Sequence, residues 1–222
     1  MKTPIPLLAL LSALLTLAPL ISQGSEAEAD QLMDQVIDHF TGGTSAEGAP
    51  IAEKRLELCK QVYGPNHVET AMAMRWVGIF YQRLGRYAEA EPFFRGSLDL
   101  MEKLLKPDAF TNPTKKPGIA DFDPNAPRFP DTAENLATAL GFLAELLTHQ
   151  GGYEEAEALF LRSIEVQEKL VGPDGLNVAD PLEKLTQLYD VQGRYEEAAA
   201  LIQRRIGILE KSEYGEADVA MG

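Results

Sequence analysis

One cysteine, Cys59, and three histidines, His39, His67 and His149, are all that this chain of 222 residues has of the common metal and redox side chains. A lone thiol closes no internal disulfide, so no cross-linked framework holds the fold. Cys59 is expected inside a helix as a small hydrophobe, with a disulfide-linked dimer as the sharper alternative. The histidines lie far apart, without His-x-x-x-His spacing, and metal ligation has no local support. Positive charge is also scarce: 20 Lys and Arg stand against 34 Asp and Glu, a net charge of −14. Such a chain repels phosphate backbones, so nucleic acid is not an expected partner. There is no glycine-rich phosphate loop, no Gly-x-Ser-x-Gly turn and no Cys-His arrangement. The pairs Glu154-Glu155 and Glu196-Glu197 open helices, where the dipole favours negative charge. Neither a catalytic group nor a cofactor is expected.

Long apolar runs are missing except at the start. Residues 1–24 carry one charge, Lys2, then the run Leu7–Ala18, then Pro19, Ser22 and Gly24. That is the pattern of an export signal cut after Gly24, with Ala27 as a second cutting point. Losing Lys2 with it takes the net charge from −14 to −15. Leu7–Ala18 is shorter than the ~20 apolar residues of a membrane span, although Ile5–Ile21 leaves an uncleaved anchor open. With no cysteine nearby, the segment offers no thiol for lipid attachment. The chain is therefore expected to be exported: periplasmic in a Gram-negative source, otherwise secreted or membrane-anchored.

What the chain does have is a repeat. GRYAEAEPFFRGSLDL from Gly85, GGYEEAEALFLRSIEV from Gly151 and GRYEEAAALIQRRIGI from Gly193 are three versions of one phrase. Pro65 to Pro107 and Tyr153 to Tyr195 are each 42 residues, while Tyr87 to Tyr153 is 66, the same period with 24 residues inserted. Units of this length cannot bury their apolar faces alone and must stack on copies of themselves. In residues 67–105, Ala71, Met74, Val77, Gly78 and Tyr81 mark one face of a first helix. Gly85 makes the turn, and Ala90, Phe93, Phe94, Ser97, Leu98 and Met101 mark a second helix. Leu140, Leu143, Ala144, Leu147, Ala156, Phe160 and Ser163 repeat the pattern in residues 131–174. Leu182, Leu185, Thr186, Tyr189, Ala198 and Ile202 repeat it in residues 175–211. A degenerate first unit occupies residues 25–66, with one helix over Asp30–Phe40 (Leu32, Ile37 and Phe40 inward) and another over Ile51–Tyr63.

The G-x-Y-x-E-A turn, the alternation of small and large residues and Gly64-Pro65-Asn66-His67 resemble the tetratricopeptide repeat, in its 42-residue kinesin light chain form. The resemblance covers about residues 51–211 and implies an all-α solenoid, a right-handed superhelix of antiparallel helix pairs with about eight helices. It also implies that the first helix of each pair lines a concave groove binding a protein or peptide. Its inward positions here are Met72, Arg75, Trp76, Ile79 and Gln82, then Thr138, Gly141, Phe142, Glu145 and His149, then Glu183, Lys184, Gln187 and Asp190. Kinesin light chains usually carry an Asn pair where this chain has Arg75-Trp76, Gly141-Phe142 and Glu183-Lys184. Trp76 and Phe142 fall at equivalent positions, so an aromatic strip flanked by Arg75 and Lys184 is predicted, with Trp76 packed on the first unit or under the proline-rich insertion as the alternative.

Two features fall outside the repeat. Residues 106–130 hold six of the fourteen prolines, which forbids regular helix and predicts an irregular loop. Asp121-Phe122-Asp123-Pro124-Asn125 opens like a calcium loop but lacks its glycine and glutamate, Ala126 and Thr132 standing there instead. After Lys211 the chain is too short and polar to form a closing helix, and residues 212–222 are predicted as an acidic tail. That would leave Leu201, Ile202, Ile206 and Leu209 partly uncovered, a face for homo-oligomeric assembly as the alternative to a groove-binding module.

Overall fold

The computed structural model describes residues 25–105 and 132–220, with side chains to Ser212. The predicted export segment, the proline-rich insertion with Phe110, Phe122 and Phe129, and the last two residues lie outside them. The described residues form eight α-helices: α1 (25–41), α2 (Ser45–Val62), α3 (Val68–Arg83), α4 (Tyr87–Leu104), α5 (Thr132–Gln150), α6 (Tyr153–Val171), α7 (Ala179–Val191) and α8 (Tyr195–Ala220). A short 3-10 turn, Leu176–Val178, precedes α7.

Each odd-numbered helix ends the same way, on a glycine with φ of 72° at Gly43, Gly85 and Gly193 and 83° at Gly151. A side chain would be strained there, and the next residue turns its N–H back to the helix. Arg86 N–H reaches Tyr81 C=O at 2.9 Å, Gly152 reaches Leu147 at 2.8 Å and Arg194 reaches Tyr189 at 2.8 Å. The turn therefore satisfies the carbonyls that the ending helix leaves unpaired.

The pairs close on small residues. Ala71 and Ala137 on the odd helices face Ser97 and Ser163 on the even ones, whose hydroxyls donate to those alanines' carbonyls at 2.7 and 2.8 Å. In the first unit Arg55 takes the serine's place, and its Nε donates to Ala29 C=O at 3.3 Å. Gly78 has no side chain because a Cβ would stand 2.8 Å from the Phe94 ring. Ala90, Ala156 and Ala198 are buried at one repeat position, with Gly48 in the same register. The core runs continuously from Val36 to Ile208, and Cys59 lies fully inside it.

From α2 onward each helix packs on its neighbours in sequence, and α3 also meets α5, and α5 meets α7; α1 is joined to α2 through Arg55 and the Lys54–Glu28 pair. The even helices stand further apart and are joined by long side chains: Arg95 reaches Glu155 at 2.8 Å, Arg162 reaches Glu102 at 2.5 Å, and Arg204 pairs with Glu168. Odd helices thus crowd on one side and even helices spread on the other. That difference curves the stack and makes the odd helices its inner wall.

Several details differ from the sequence reading. In α1 the buried residues are Ala29, Leu32 and Val36, while Ile37 is exposed. α2 starts at Ser45 and absorbs Pro50, as α4 absorbs Pro92 at the same register. Each proline sits in the second turn, opposite a carbonyl of the exposed Ala46 or Ala88 that water can serve. α7 is short, as predicted, but starts at Ala179, so Asp180 lies in the first turn and is not its cap. The predicted acidic tail is corrected at the backbone: α8 runs unbroken to Ala220. Once the about five turns of residues 195–211 share one axis, extending it costs less than starting a new helix.

Candidate functional site: the inner wall

Along the inner wall, Gln82 of α3, Glu145 of α5 and Lys184 of α7 form one polar ladder. Gln82 Nε2 donates to Glu145 Oε1 at 3.4 Å, and Lys184 Nζ pairs with Glu145 Oε2 at 3.1 Å. Glu145 thus ties three successive odd helices together. One turn further along α7, Gln187 donates to Glu183 at 3.4 Å, and Glu183 also pairs with Arg205 of α8 at 2.5 Å. Arg205 is thereby held by an ion pair at the repeat position of Ser97 and Ser163.

The predicted aromatic strip divides. Trp76 meets Phe40 of α1 edge-on at 5.3 Å and Phe80 at 6.4 Å, while Phe142 stacks flat on Phe94 at 5.8 Å. Trp76 therefore packs on the first unit. Ile79 is buried beside it in the core. Arg75 lies with its guanidinium carbon 5.9 Å from the Phe142 ring centre. It is 9% exposed, and its Nη1 is buried with no hydrogen-bond partner. Burial without a carboxylate lowers its pKa to about 10.

Three clefts open on this wall among the described residues, one of about 400 Å³ toward the C-terminal ends of α5 and α7 beside Thr148, Gln187 and Val191. Another, of about 400 Å³, lies between α5 and α7 beneath Phe142, Glu145 and Lys184. A further one, of about 350 Å³, lies between α3 and α5 and adds Phe40, Ile79, Arg83, Tyr87 and His149. His149 stacks on Tyr87 at 5.5 Å with the rings 6° from parallel. Arg83 lies over Phe40 at 3.7 Å and donates to its carbonyl at 2.6 Å. These residues at the helix ends belong to the rim; the sequence placed His149 on the wall, whereas Arg83 and Tyr87 were passed over because the reading followed helix faces. His67 has a structural place: it caps α3, accepting from Glu69 N–H at 3.2 Å.

The turn arginines were missed as well. Arg86 lies 4.2 Å over the Tyr81 ring and Arg194 lies 3.9 Å over Tyr189. Both tyrosines donate to a glutamate of an even helix, Tyr81 to Glu53 and Tyr189 to Glu157, the latter at 2.8 Å. Arg194 also binds Glu157 and Glu197 and holds both carboxyls below the usual carboxylate range. The signal was the Arg before the turn tyrosine in GRY, present at Gly85 and Gly193 and replaced by glycine at Gly151-Gly152.

Among the described residues no group of His, Cys, Asp and Glu has the arrangement of a metal site. No helix among them is long and apolar enough to cross a membrane.

The family model described as tetratricopeptide repeat matches residues 38–103 and 135–211. No curated protein matches the chain by sequence. Among solved structures, BtubC (BKLC) from P. vanneervenii is 12% identical with a TM-score of 0.64, over 85% of this chain and 66% of that one, just under two thirds of its length. The nearly identical TPR-like repeats of a putative kinesin light chain from Podosopora anserina are 14% identical with a TM-score of 0.39, over 83% of this chain and 96% of that one. Likeness at these identities concerns the fold.

Proposed function

The chain belongs to the tetratricopeptide-repeat family, whose repeats build protein-interaction and scaffold modules, and from that premise we propose that its inner wall binds an extended segment of a partner protein. The observation that carries this is the wall itself: three odd helices in contact, three clefts along them and a polar ladder, Gln82–Glu145–Lys184, between. Side-chain amides and charges at such a surface grip a backbone, and Phe142 with the rim aromatics supplies anchor area. Arg75 and Trp76 support the wall from behind, while Ile79, Gln82, Phe142, Glu145, Lys184 and Gln187 line its clefts and face a ligand. The protein does this noncatalytically, without a cofactor, after export directed by its first 24 residues. The period of 42 residues is that of the kinesin light chain form.

The test is selection of binders to the purified domain from a random dodecapeptide display library. Gln82→Arg and Lys184→Glu are each expected to abolish binding of the selected peptides, and Arg162→Glu on the outer face to leave it unchanged. Binding that survives both inner variants moves the site elsewhere.

A second function, self-association through α8, has its own observation. Ile202 and Ile206 occupy the repeat positions of Phe160 and Ile164, which are buried, yet both are exposed, as is Tyr195 on the same face. Head-to-tail stacking is opposed by α1, which carries the exposed Gln31, Asp34 and Asp38 where α3 carries Ala73, Trp76 and Phe80. Burying those carboxylates against Ile202 would leave them uncompensated. Association would therefore pair α8 with α8, and a mass that stays monomeric at all concentrations in the ultracentrifuge excludes it.

A further inference from the structure

We propose that the cleft between α5 and α7 beneath Phe142 seats one lysine or arginine side chain of the bound segment. This rests on the groove function proposed above and adds to it the chemistry of the occupant. The cleft is walled by Glu134 and Thr138 of α5, Ser163 and Gln167 of α6, and Asp180 and Lys184 of α7. Gln167 is 8% exposed, and its Oε1 has no hydrogen-bond partner. A buried carbonyl oxygen left without a donor is costly, and a bound group that supplies one removes the cost.

The hydroxyls on this wall have already committed their protons. Ser163 Oγ donates to Ala137 C=O at 2.8 Å and Thr138 Oγ1 to Glu134 C=O at 2.9 Å. What they turn to the cleft is lone pairs. Glu134 and Asp180 have no ion-pair partner among the described residues, whereas the cleft's one cation, Lys184, is held by Glu145 at 3.1 Å. Besides the amide of Asn177, which can donate or accept, the wall therefore presents mainly acceptors and excess negative charge, on a chain whose net charge is −14. An ammonium or guanidinium group is all donor and no acceptor, and it complements such a wall. A carboxylate, or a neutral acceptor, would meet lone pair with lone pair. Phe142 and Phe160 also line the cleft and offer apolar surface to the aliphatic stem. Gly141 leaves the mouth clear, since nothing stands within 4 Å of where its Cβ would be.

The experiment uses synthetic peptides from the dodecapeptide selection, titrated calorimetrically against the domain. The groove-dependent peptides, those lost with Gln82→Arg, are expected to share one Lys or Arg. Replacing it with norleucine should weaken binding roughly ten- to a hundredfold. The variant Glu134→Gln with Asp180→Asn should weaken the parent peptide by a similar factor and leave the norleucine peptide unaffected. Unchanged far-UV circular dichroism and urea midpoint certify the variant's fold. Groove-dependent peptides with no shared basic residue, or indifferent to norleucine, overturn this assignment and leave the groove function standing. A selection that yields no groove-dependent peptide overturns both.

Discussion

Ile164 on α6 and Ile206 on α8 are the same residue at the same repeat position, 42 residues apart. Ile164 is 6% exposed and Ile206 is 42% exposed, because α7 packs on α6 and no described helix packs beyond α8. Cutting either to alanine removes three carbons, which at about 0.8 kcal/mol each come to roughly 2.4 kcal/mol when fully buried. At Ile164 nearly all of that is lost, and fixed neighbours leave a cavity, so the expected cost is about 3–4 kcal/mol. At Ile206 close to half of the side chain is already in water and solvent fills the space. Alanine's higher helix propensity returns a few tenths of a kcal/mol, and the net cost is about 1 kcal/mol. Urea unfolding followed by far-UV circular dichroism measures both, with m-values compared because terminal repeats of a solenoid can unfold apart from the rest. The Ile164→Ala loss should exceed the Ile206→Ala loss by about 2 kcal/mol or more. Equal losses would refute the stacking order, and an Ile206→Ala loss that grows with protein concentration would show the α8 face covered by a second copy.

Three further outcomes follow from the packing. A Cβ at Gly48 would stand 2.4 Å from the Phe80 ring, whereas one at Gly207 meets nothing within 4 Å. Gly48→Ala is therefore expected to lower stability by about 1–3 kcal/mol and Gly207→Ala to raise it by up to about 1 kcal/mol, read by urea midpoint. Burial, with the hydrogen bond to Glu157, pushes the Tyr189 phenol up to about 12. The folded state then holds a proton that the unfolded state releases above pH ~10, so this stabilisation is complete below pH ~10 and is lost toward pH ~12. Burial also pushes the Tyr63 phenol up to about 12, so absorbance at about 295 nm should show a late tyrosinate transition whose amplitude falls, without vanishing, in Tyr189→Phe. Cys59 is fully buried, and burial raises its pKa, so it should resist Ellman's reagent in the native state and react only in denaturant; rapid native labelling would contradict its place in the core.

Most of the fold was legible because repetition supplies its own register. Gly85 and Gly193, set against Gly151, located the turns, and Ala90, Ser97, Ala156 and Ser163 marked the tight crossings; all four are buried. Helix starts were less legible, since Pro50 reads as a breaker until one knows which carbonyl it faces. The inner wall was legible as a set of positions but not as a set of contacts. Equivalence put Trp76 and Phe142 together, yet Phe40 of the irregular first unit stands nearer and takes Trp76. Glu145 became the hub between Gln82 and Lys184 because three side chains of different reach converge there, which no period encodes. Gln167 lies on an even helix, outside the positions that the repeat assigns to the groove, and only packing shows that its oxygen is left over.

The most direct test of the inner wall as a binding surface is amide chemical-shift mapping of the domain titrated with a selected peptide. Shifts concentrated on α3, α5 and α7, centred on Gln82, Phe142, Glu145 and Lys184, are the expected result. Shifts concentrated on the outer helices around Arg95 and Glu155, or along the exposed face of α8, would contradict it.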